Sequence, residues 1–583
     1  MPSFQERMEA HRAEKRRNAW WKQPGHPCYA VVTAFVSAIA LIFSFPPFDG
    51  AELAFVSLIP WVLWASFAPG WRGWWIAVGA SQLFVWCSLL VWLRHVAIYA
   101  EAPLPAFTGP LIVLGLAATV AVLHLPFFGL LRWAVPKSLK KSGTVRVLSL
   151  LMLAGLWVVQ EWVRTWFLTG FPWLPMATTQ WRNPVALQLA SITGAYGVSA
   201  LIVAINIGIA LYARQLIKRR KKAGYFGNIC PEFYVVMVAL FGSLVLYLRV
   251  LPQSEDLQPL FSASAIQPAI SQEVKWDEEM ALQHLKTIDR ETRLAALTQP
   301  EIILWPESAT PWEARGKNGI EWWIARLSLE IDTPILMGNL IETDSGEWYN
   351  GIFWVTPEGG LDDRYYAKRK LVPYGEYVNL RGLFPFLDKA NHDEYDITAG
   401  DSARPLRIDV NGREVRIGGL VCYEDIFGHL ARETALSGVD AFLVVTNNAW
   451  YGREGAAYQH AAHSVLRAVE TGRPVVRVGN EGWSGWIDGQ GRIRTEFTDA
   501  NGSIYTRGSS PMSIFHDADR SRYQTFYVRY GEWFVWTCME LFVLGIMIIK
   551  WVPDRKAPEA KEEPLLKGRD NIFKRRRRLK GLE

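Results

Sequence analysis

Cysteine is scarce in this chain, five among 583 residues. Four of them, Cys28, Cys87, Cys230 and Cys538, lie in or beside long apolar runs, so Cys422 has no disulfide partner within the polar stretch that carries it. Charge is thin as well: 20% of residues are charged and 50% apolar, which excludes a disordered tail or a fibre. A fixed-period repeat is absent, and the only biased block is the charged C-terminal tail, so the chain is not a repeat array. Positive charge is missing from the part a nucleic-acid binder would use. Residues 252–530 hold 28 Lys+Arg against 40 Asp+Glu, a net of −12, whereas the remainder holds 34 against 16, a net of +18. Charge sorted in this way marks an acidic soluble domain beside basic flanks.

The flanks border apolar runs long enough to cross a bilayer, which exclude a plain cytosolic enzyme. Eight spans are expected, at 29–46, 52–67, 73–93, 110–131, 147–167, 195–213, 233–250 and 532–551. The second is short and contains Pro60, so it is expected to be broken or tilted. Basic residues cluster in 1–28 (Arg7, Arg12, Lys15, Arg16, Arg17, Lys22), in 132–146 (Lys137, Lys140, Lys141, Arg146), in 214–232 (Arg214, Lys218 to Lys222) and in Lys574 to Arg578, while the short loops 47–51 and 95–109 contain no Lys or Arg. This is the positive-inside pattern, with both termini cytoplasmic and the acidic part outside. A long polar stretch before the first span and further spans after it favour an uncleaved anchor over a signal peptide. The expected organisation is a basic cytoplasmic tail (1–28), a membrane domain of seven spans (29–251), an extracytoplasmic domain (252–530), an eighth span (531–552) and a second basic tail (553–583). Beside a membrane, basic tails fix topology and touch anionic lipid. Glu161 and Arg164, at helical spacing in the fifth span, read equally as a salt bridge closing a helix end or as a polar mouth for a lipid headgroup.

In the soluble part, short β-rich runs alternate with helical stretches, an α/β layered pattern. Strands are expected at Phe261–Gln267, Glu301–Trp305, Ile335–Asn339, Tyr349–Val355, Arg416–Val421, Phe442–Thr446, Pro474–Val478 and Gly485–Asp488, the last closing the order. Helices are expected at Asp277–Leu297, Ile320–Glu330, near 426–436 and near 457–471, and the stretch 366–403 reads as irregular. Its part from 378 to 403, with Pro385, Gly400 and several aromatics, is expected to form a lid.

Cys422 stands where an apolar strand gives way to a helix, a turn that exposes a side chain and aims backbone N–H groups at it. Acyl chemistry on a thiol needs a base and a cation. His429, His460 and His463 read as surface or core histidines; the carboxylates Glu307, Glu376 and Glu424 are better placed, and Lys368, Arg369 and Lys370 are equivalent by composition.

Glu307, Lys368 and Cys422, in that order at strand ends and 61 and 54 residues apart, resemble the Glu-Lys-Cys triad of the nitrilase (carbon–nitrogen hydrolase) superfamily. Gln160-Glu161-Trp162-Val163-Arg164 with Thr169-Gly170-Phe171-Pro172-Trp173 is similar to the apolipoprotein N-acyltransferase family. So are Leu371 to Tyr377, Val421-Cys422-Tyr423-Glu424, Asn447-Asn448-Ala449-Trp450-Tyr451-Gly452 and Gly472-Arg473-Pro474. Where that family often has Asn-Asp-Ala-Trp this chain has Asn448, and Gly479 to Gly482 also depart from its pattern.

The resemblance implies a polytopic helical membrane domain plus an α/β αββα sandwich. It implies ping-pong acyl transfer: Glu307 as base, Cys422 attacking a phospholipid ester to form a thioester, and a diacylglyceryl-modified apolipoprotein amine as acceptor. Lys368 and the backbone N–H of Tyr423 would hold the oxyanion, Glu376 would orient Lys368 or the thiol, and Glu424 and Trp450 would shape the pocket. Asn447, Trp450, Glu161, Arg164 and Trp173 would contact substrate. No metal or organic cofactor is required, and a monomer in a bacterial inner membrane is expected. A membrane-tethered amidase is the alternative; a retired scaffold or a transporter fits less well, since the triad is complete and only the fifth span carries a charged pair.

Overall fold

The computed structural model describes residues 26–99, 104–220, 230–251, 257–317, 319–377, 396–518 and 523–554. Most of both basic tails and most of the expected lid lie outside these residues.

Six helices are long and apolar enough to span a membrane: α1 (Pro27–Ser44), α4 (Pro105–Ser138), α5 (Gly143–Val163), α6 (Ala195–Arg220, spanning through Ile217), α7 (Pro231–Val250) and α12 (Trp533–Trp551). A seventh consists of α2 (Trp71–Leu89) and α3 (Leu93–Tyr99), bent by 51°. The expected second span is instead two short helices, Ala51–Ala54 and Ile59–Ala65. Even run together they reach about 22 Å, short of a hydrocarbon core of about 30 Å. Pro60 does not cause the break, because it lies in the first turn of the second piece, where a missing N–H costs nothing. The break falls at 55–58 and is satisfied by Asn206 in the middle of α6. Asn206 Oδ1 accepts from Leu58 N at 2.8 Å, and its Nδ2 donates to Ala54 O at 2.8 Å. Open backbone at membrane depth survives only when protein groups complete its hydrogen bonds.

The soluble part is a two-sheet sandwich. One sheet has the order β12-β1-β2-β3-β4-β5 and the other β11-β10-β9-β8-β7-β6. The strands are β1 (Leu257–Gln267), β2 (Ile302–Trp305), β3 (Ile335–Glu342), β4 (Trp348–Thr356), β5 (Gly360–Ala367), β6 (Leu406–Val410), β7 (Arg413–Val421), β8 (Ala441–Thr446), β9 (Val475–Gly479), β10 (Gly485–Ile487), β11 (Ile493–Glu496) and β12 (Gly508–Asp517). Between the sheets lies a dry core that includes Leu304, Leu336, Ile352, Ile417, Leu443 and Val476. Helices α8 (Ala281–Ala296) and α9 (Glu321–Ile331) cover the outer face of the first sheet around Ile303, Trp305 and Met337. Helices α10 (Gly428–Leu436) and α11 (Ala456–Thr471) cover the second sheet, and their other side packs against the helical domain. Ile426, Leu430, Ala461 and Val465 belong to one apolar cluster with Trp157, Trp173, Ile202 and Val535 of the helical domain. The αββα sandwich is therefore welded to the helical domain through one of its two helical layers.

Four strands depart from the expectation. β5 lies mostly between the expected strand ending at Val355 and the stretch from 366 read as irregular, β6 falls just after that stretch, and β11 and β12, not β10, close the order. β5 and β6 are edge strands rich in Asp and Arg. β12 carries Pro511, which an edge strand tolerates because one side of its backbone needs no donor.

Candidate active site

The three residues singled out by order and spacing converge at the same end of the sandwich from two different sheets. Glu307 follows β2, Lys368 follows β5 and Cys422 follows β7. Cys422 has φ of 51°, a left-handed conformation that a non-glycine residue adopts at a cost of about 1–2 kcal/mol. Side chains on both sides hold it there. Glu424 Oε2 accepts from Val421 N at 2.7 Å, and Cys422 O lies 3.1 Å from His460 Nε2 on α11. Gly419 on β7 leaves room for the Tyr366 ring of β5, which would come within 2.6 Å of a Cβ at that position. That close packing brings Lys368, two residues on, over the elbow.

Lys368 is 1% exposed. Its Nζ lies 2.8 Å from Glu376 Oε1 and 3.4 Å from Glu307 Oε1. Burial pulls the ammonium down, but Glu376, Glu307 and the Cys422 sulfur outweigh it, so Lys368 stays charged well above its ordinary range. Asn350 of β4 bridges the two carboxylates, donating Nδ2 to Glu307 Oε1 at 2.9 Å and to Glu376 Oε1 at 3.1 Å. Glu307 Oε2 accepts from Asn447 N at 2.9 Å. Thr446, one residue earlier, lies with Oγ1 3.3 Å from Cys422 Sγ. One short segment after β8 thus touches both the sulfur and the carboxylate. Burial first, and then the Glu307 charge, push the Cys422 thiol up to about 12, against the opposing effect of Lys368. A thiol held protonated in this way needs a base at hand when it attacks a weak electrophile, and the adjacent carboxylate is a suitable one.

Glu424 is a strut rather than a pocket wall. It is fully buried and accepts from Arg369 N at 2.7 Å, Lys370 N at 3.1 Å, Val421 N at 2.7 Å and the Tyr366 hydroxyl at 2.8 Å. It ties the lysine loop of one sheet to the cysteine turn of the other. Tyr423 donates its hydroxyl to Gly170 O at 2.6 Å, in the loop after α5.

Trp450 is half-buried, with its ring 6.4 Å from Tyr99 of α3. Asn447, whose N–H reaches Glu307, donates its Nδ2 to Gln272 Oε1 at 2.9 Å. Trp173 is 1% exposed and donates Nε1 to Gln459 of α11 at 2.9 Å; Trp92 donates to the same oxygen at 3.2 Å. Glu161 and Arg164 are both buried and do not form the salt bridge that was one reading of them. Glu161 accepts from Trp157 Nε1 at 2.8 Å and Met176 N at 2.7 Å, while Arg164 donates to Trp173 O and lies over the Trp86 ring. They line a small cavity of about 30 Å³ with His463, Arg467 and Glu470, so they face the domain junction.

Several residues of the site escaped the sequence reading. Asn350 is one; its signal was an asparagine inside an apolar strand, where this residue is otherwise depleted. Lys275 is another, a buried amine brought down to about 8 by burial against the opposing charge of Glu307. His460 and His463, read as surface or core histidines, are both buried, and His460 lies directly beneath the cysteine turn.

Two family models match the two halves of the chain: the apolipoprotein N-acyltransferase N-terminal domain over residues 37–208 and the carbon–nitrogen hydrolase model over residues 262–512. The apolipoprotein N-acyltransferase of Geobacter metallireducens is 30% identical over 516 residues, 87% of this chain and 92% of that protein. The Pseudomonas aeruginosa protein of the same name is 29% identical over 493 residues, 81% and 88% of the two chains. Among solved structures, a CN-hydrolase superfamily protein from Xanthomonas campestris matches with 19% identity and a TM-score of 0.33, covering 46% of this chain and 94% of its own. A helical domain fused to a carbon–nitrogen hydrolase sandwich, aligned nearly end to end with these relatives, makes this multi-pass membrane protein a member of the apolipoprotein N-acyltransferase family.

Proposed function

We propose that this chain transfers a fatty acyl group from a phospholipid to the α-amine of the S-diacylglyceryl cysteine at the N-terminus of apolipoproteins. Cys422 attacks the ester carbonyl while Glu307 takes the thiol proton; the ester C–O bond breaks as Glu307 returns that proton to the departing oxygen, and lysophospholipid leaves. The acceptor amine then attacks the thioester, Glu307 takes a proton from the amine and hands it to the sulfur as the C–S bond breaks, and the thiol is restored as the amide forms. Lys368 and the N–H of Tyr423 stabilise the oxyanion of both steps, each such donor lowering the barrier by about 3 kcal/mol. Glu376 holds Lys368 in place.

The observation that carries this reading over hydrolysis of a soluble amide is the weld between the catalytic turn and the membrane helices: Tyr423 bonds Gly170, and α10 and α11 share one apolar core with α5 and α6. Lifting an acyl chain out of lipid costs about 0.8 kcal/mol per methylene, about 12 kcal/mol for fifteen. A nucleophile at the membrane surface avoids that loss, whereas an amidase of water-soluble substrates has no use for the weld.

The basic segments support cytoplasmic termini and a catalytic domain on the far side of a bacterial inner membrane. That topology requires an odd number of crossings before β1. With the bent pair α2–α3 counted as one span, the broken Ala51–Ala65 segment completes that number; too short by itself, it crosses together with its flanking residues, seated on the middle of α6.

Intact-mass analysis of the purified protein incubated with phospholipid tests the reaction. The expected result is a hydroxylamine-labile acyl adduct on Cys422, absent in Cys422→Ala and discharged to an amide by a diacylglyceryl peptide. Discharge to free acid despite the peptide would establish the amidase alternative.

A further inference from the structure

Cys422 has a second set of neighbours that the reaction above does not use. Thr446, the last residue of β8, holds Oγ1 3.3 Å from Cys422 Sγ and 2.9 Å from Asn448 Oδ1. The same Asn448 atom lies 3.1 Å from Nδ1 of His460. The other ring nitrogen, Nε2, faces two acceptors, Asp425 Oδ1 at 2.8 Å and Cys422 O at 3.1 Å. Asp425 is itself held by Arg477 at 2.5 Å and by the Ser464 hydroxyl at 2.6 Å. Thr446, Asn448, His460 and Asp425 are all buried.

Counting protons gives this chain a direction. Nε2 lies between two acceptors and so carries a hydrogen. Burial, the largest influence on His460, holds the imidazole below its ordinary range despite Asp425, so the ring is neutral and Nδ1 is a lone pair. Nδ1 needs a donor, and the group facing it is the Asn448 carboxamide. Thr446 has a single hydroxyl hydrogen, for which an Asn448 oxygen competes with the sulfur. With its oxygen in that place, the amide nitrogen of Asn448 is buried without any partner. Orphaned buried N–H groups are rarer than under-satisfied carbonyls. The two ends of a carboxamide are isosteric, and the surrounding network decides which is which. Half a turn of the amide removes every one of these conflicts.

We propose that the Asn448 amide donates to both His460 Nδ1 and Thr446 Oγ1, and thereby commits the Thr446 hydroxyl proton to Cys422 Sγ. Thr446 then adds a donated hydrogen bond to the favourable charge of Lys368 as negative charge develops on the sulfur, and a hydrogen bond given to the charged form favours that form. Asp425 fixes the imidazole tautomer, His460 fixes the amide, and the amide fixes the hydroxyl: these three are positioning residues, while Thr446 touches the reacting atom. The charged groups around the sulfur are Glu307 and Lys368 from the first sheet, Glu376 behind Lys368, and the Asp425–Arg477 pair with Glu424 on the cysteine turn side.

The inference rests on Cys422 being the nucleophile but not on the identity of the acyl donor, so its test uses iodoacetamide on the full-length protein in detergent. Alkylation of Cys422 over about pH 6 to 9 is expected to slow roughly tenfold in Thr446→Val, which keeps the shape and loses the donor, and to recover in Thr446→Ser. Asn448→Asp, which differs from wild type at one donor atom and covers the case in which the valine variant fails to fold, is expected to lose the same factor. Equal rates in wild type and either Thr446→Val or Asn448→Asp, or a loss in Thr446→Ser as large as in Thr446→Val, would overturn the proposal. Acylation by phospholipid, followed in parallel, separates the two readings: the alkylation pattern without any acyl adduct keeps the Thr446 donor and discards the transferase.

Discussion

Tyr423, the residue after Cys422, donates its hydroxyl to the carbonyl of Gly170 at 2.6 Å, across 253 residues of sequence and from one domain to the other. Gly170 has φ of 94° and follows Leu168 and Thr169, which are also left-handed, so the loop after α5 takes its shape from backbone that few side chains accept. The cysteine turn and the loop after α5 are thus parts of one junction.

Tyr423→Phe tests that junction. Both partners are buried, so the variant leaves a carbonyl unpaired and is expected to lose about 1–2 kcal/mol of stability. The check is a lower unfolding temperature in detergent together with a slower turnover; an unchanged melting curve would mean that the contact does not bind the domains.

Gln459 makes a second clasp, since its side-chain oxygen accepts from both Trp92 and Trp173. Gln459→Leu orphans two buried indole N–H groups at once, at about 1–3 kcal/mol each. Limited proteolysis should then cut the connections between the helical and catalytic domains at enzyme concentrations that leave the wild type whole.

Glu307→Gln separates basicity from charge. The amide keeps the size of the carboxylate, and the loss of a general base is expected to cut acyl transfer by about 10²–10⁴. The Glu307 charge also raises the Cys422 thiol, so removing it brings the thiol down. Iodoacetamide should therefore alkylate Cys422 faster in this variant than in wild type at the same pH, while transfer collapses.

The pH dependence of stability has a separate source in Asp425. Burial opposes its ionisation, but His460 and Arg477 outweigh burial and hold the carboxyl well below its ordinary value of 3.8. A depressed carboxyl contributes stability that is fully present above its unfolded pKa and drains away as pH falls below about 4. Asp425→Asn removes that contribution. Its unfolding temperature should lie below wild type near neutrality and change less on acidification, and two parallel curves would refute the assignment.

Much of the fold could be read before any coordinates. The apolar runs, the basic loops between them and the alternation of strands and helices after residue 257 follow from hydrophobic transfer and backbone periodicity, which are local properties. β5, β6, β11 and β12 were illegible because edge strands are half solvated and carry Asp, Glu, Arg and Pro where central strands carry Val and Ile.

The sequence by itself determined that a lone polar-domain cysteine stands at a strand end, with an acid at the end of an earlier strand and a basic cluster between them, and that the whole is attached to a membrane. Only the tertiary structure decided that Lys368, rather than Arg369 or Lys370, faces Glu307, that Glu424 braces the cysteine turn, and that Glu161 and Arg164 are buried at the domain junction. It alone showed that Asn206 completes a broken helix and that Thr446, Asn448 and His460 form a line to the sulfur. The physical reason is that hydrogen bonds and ion pairs in a low-dielectric interior join residues by position across sheets and domains, and neither composition nor spacing along the chain encodes which side chains will meet there.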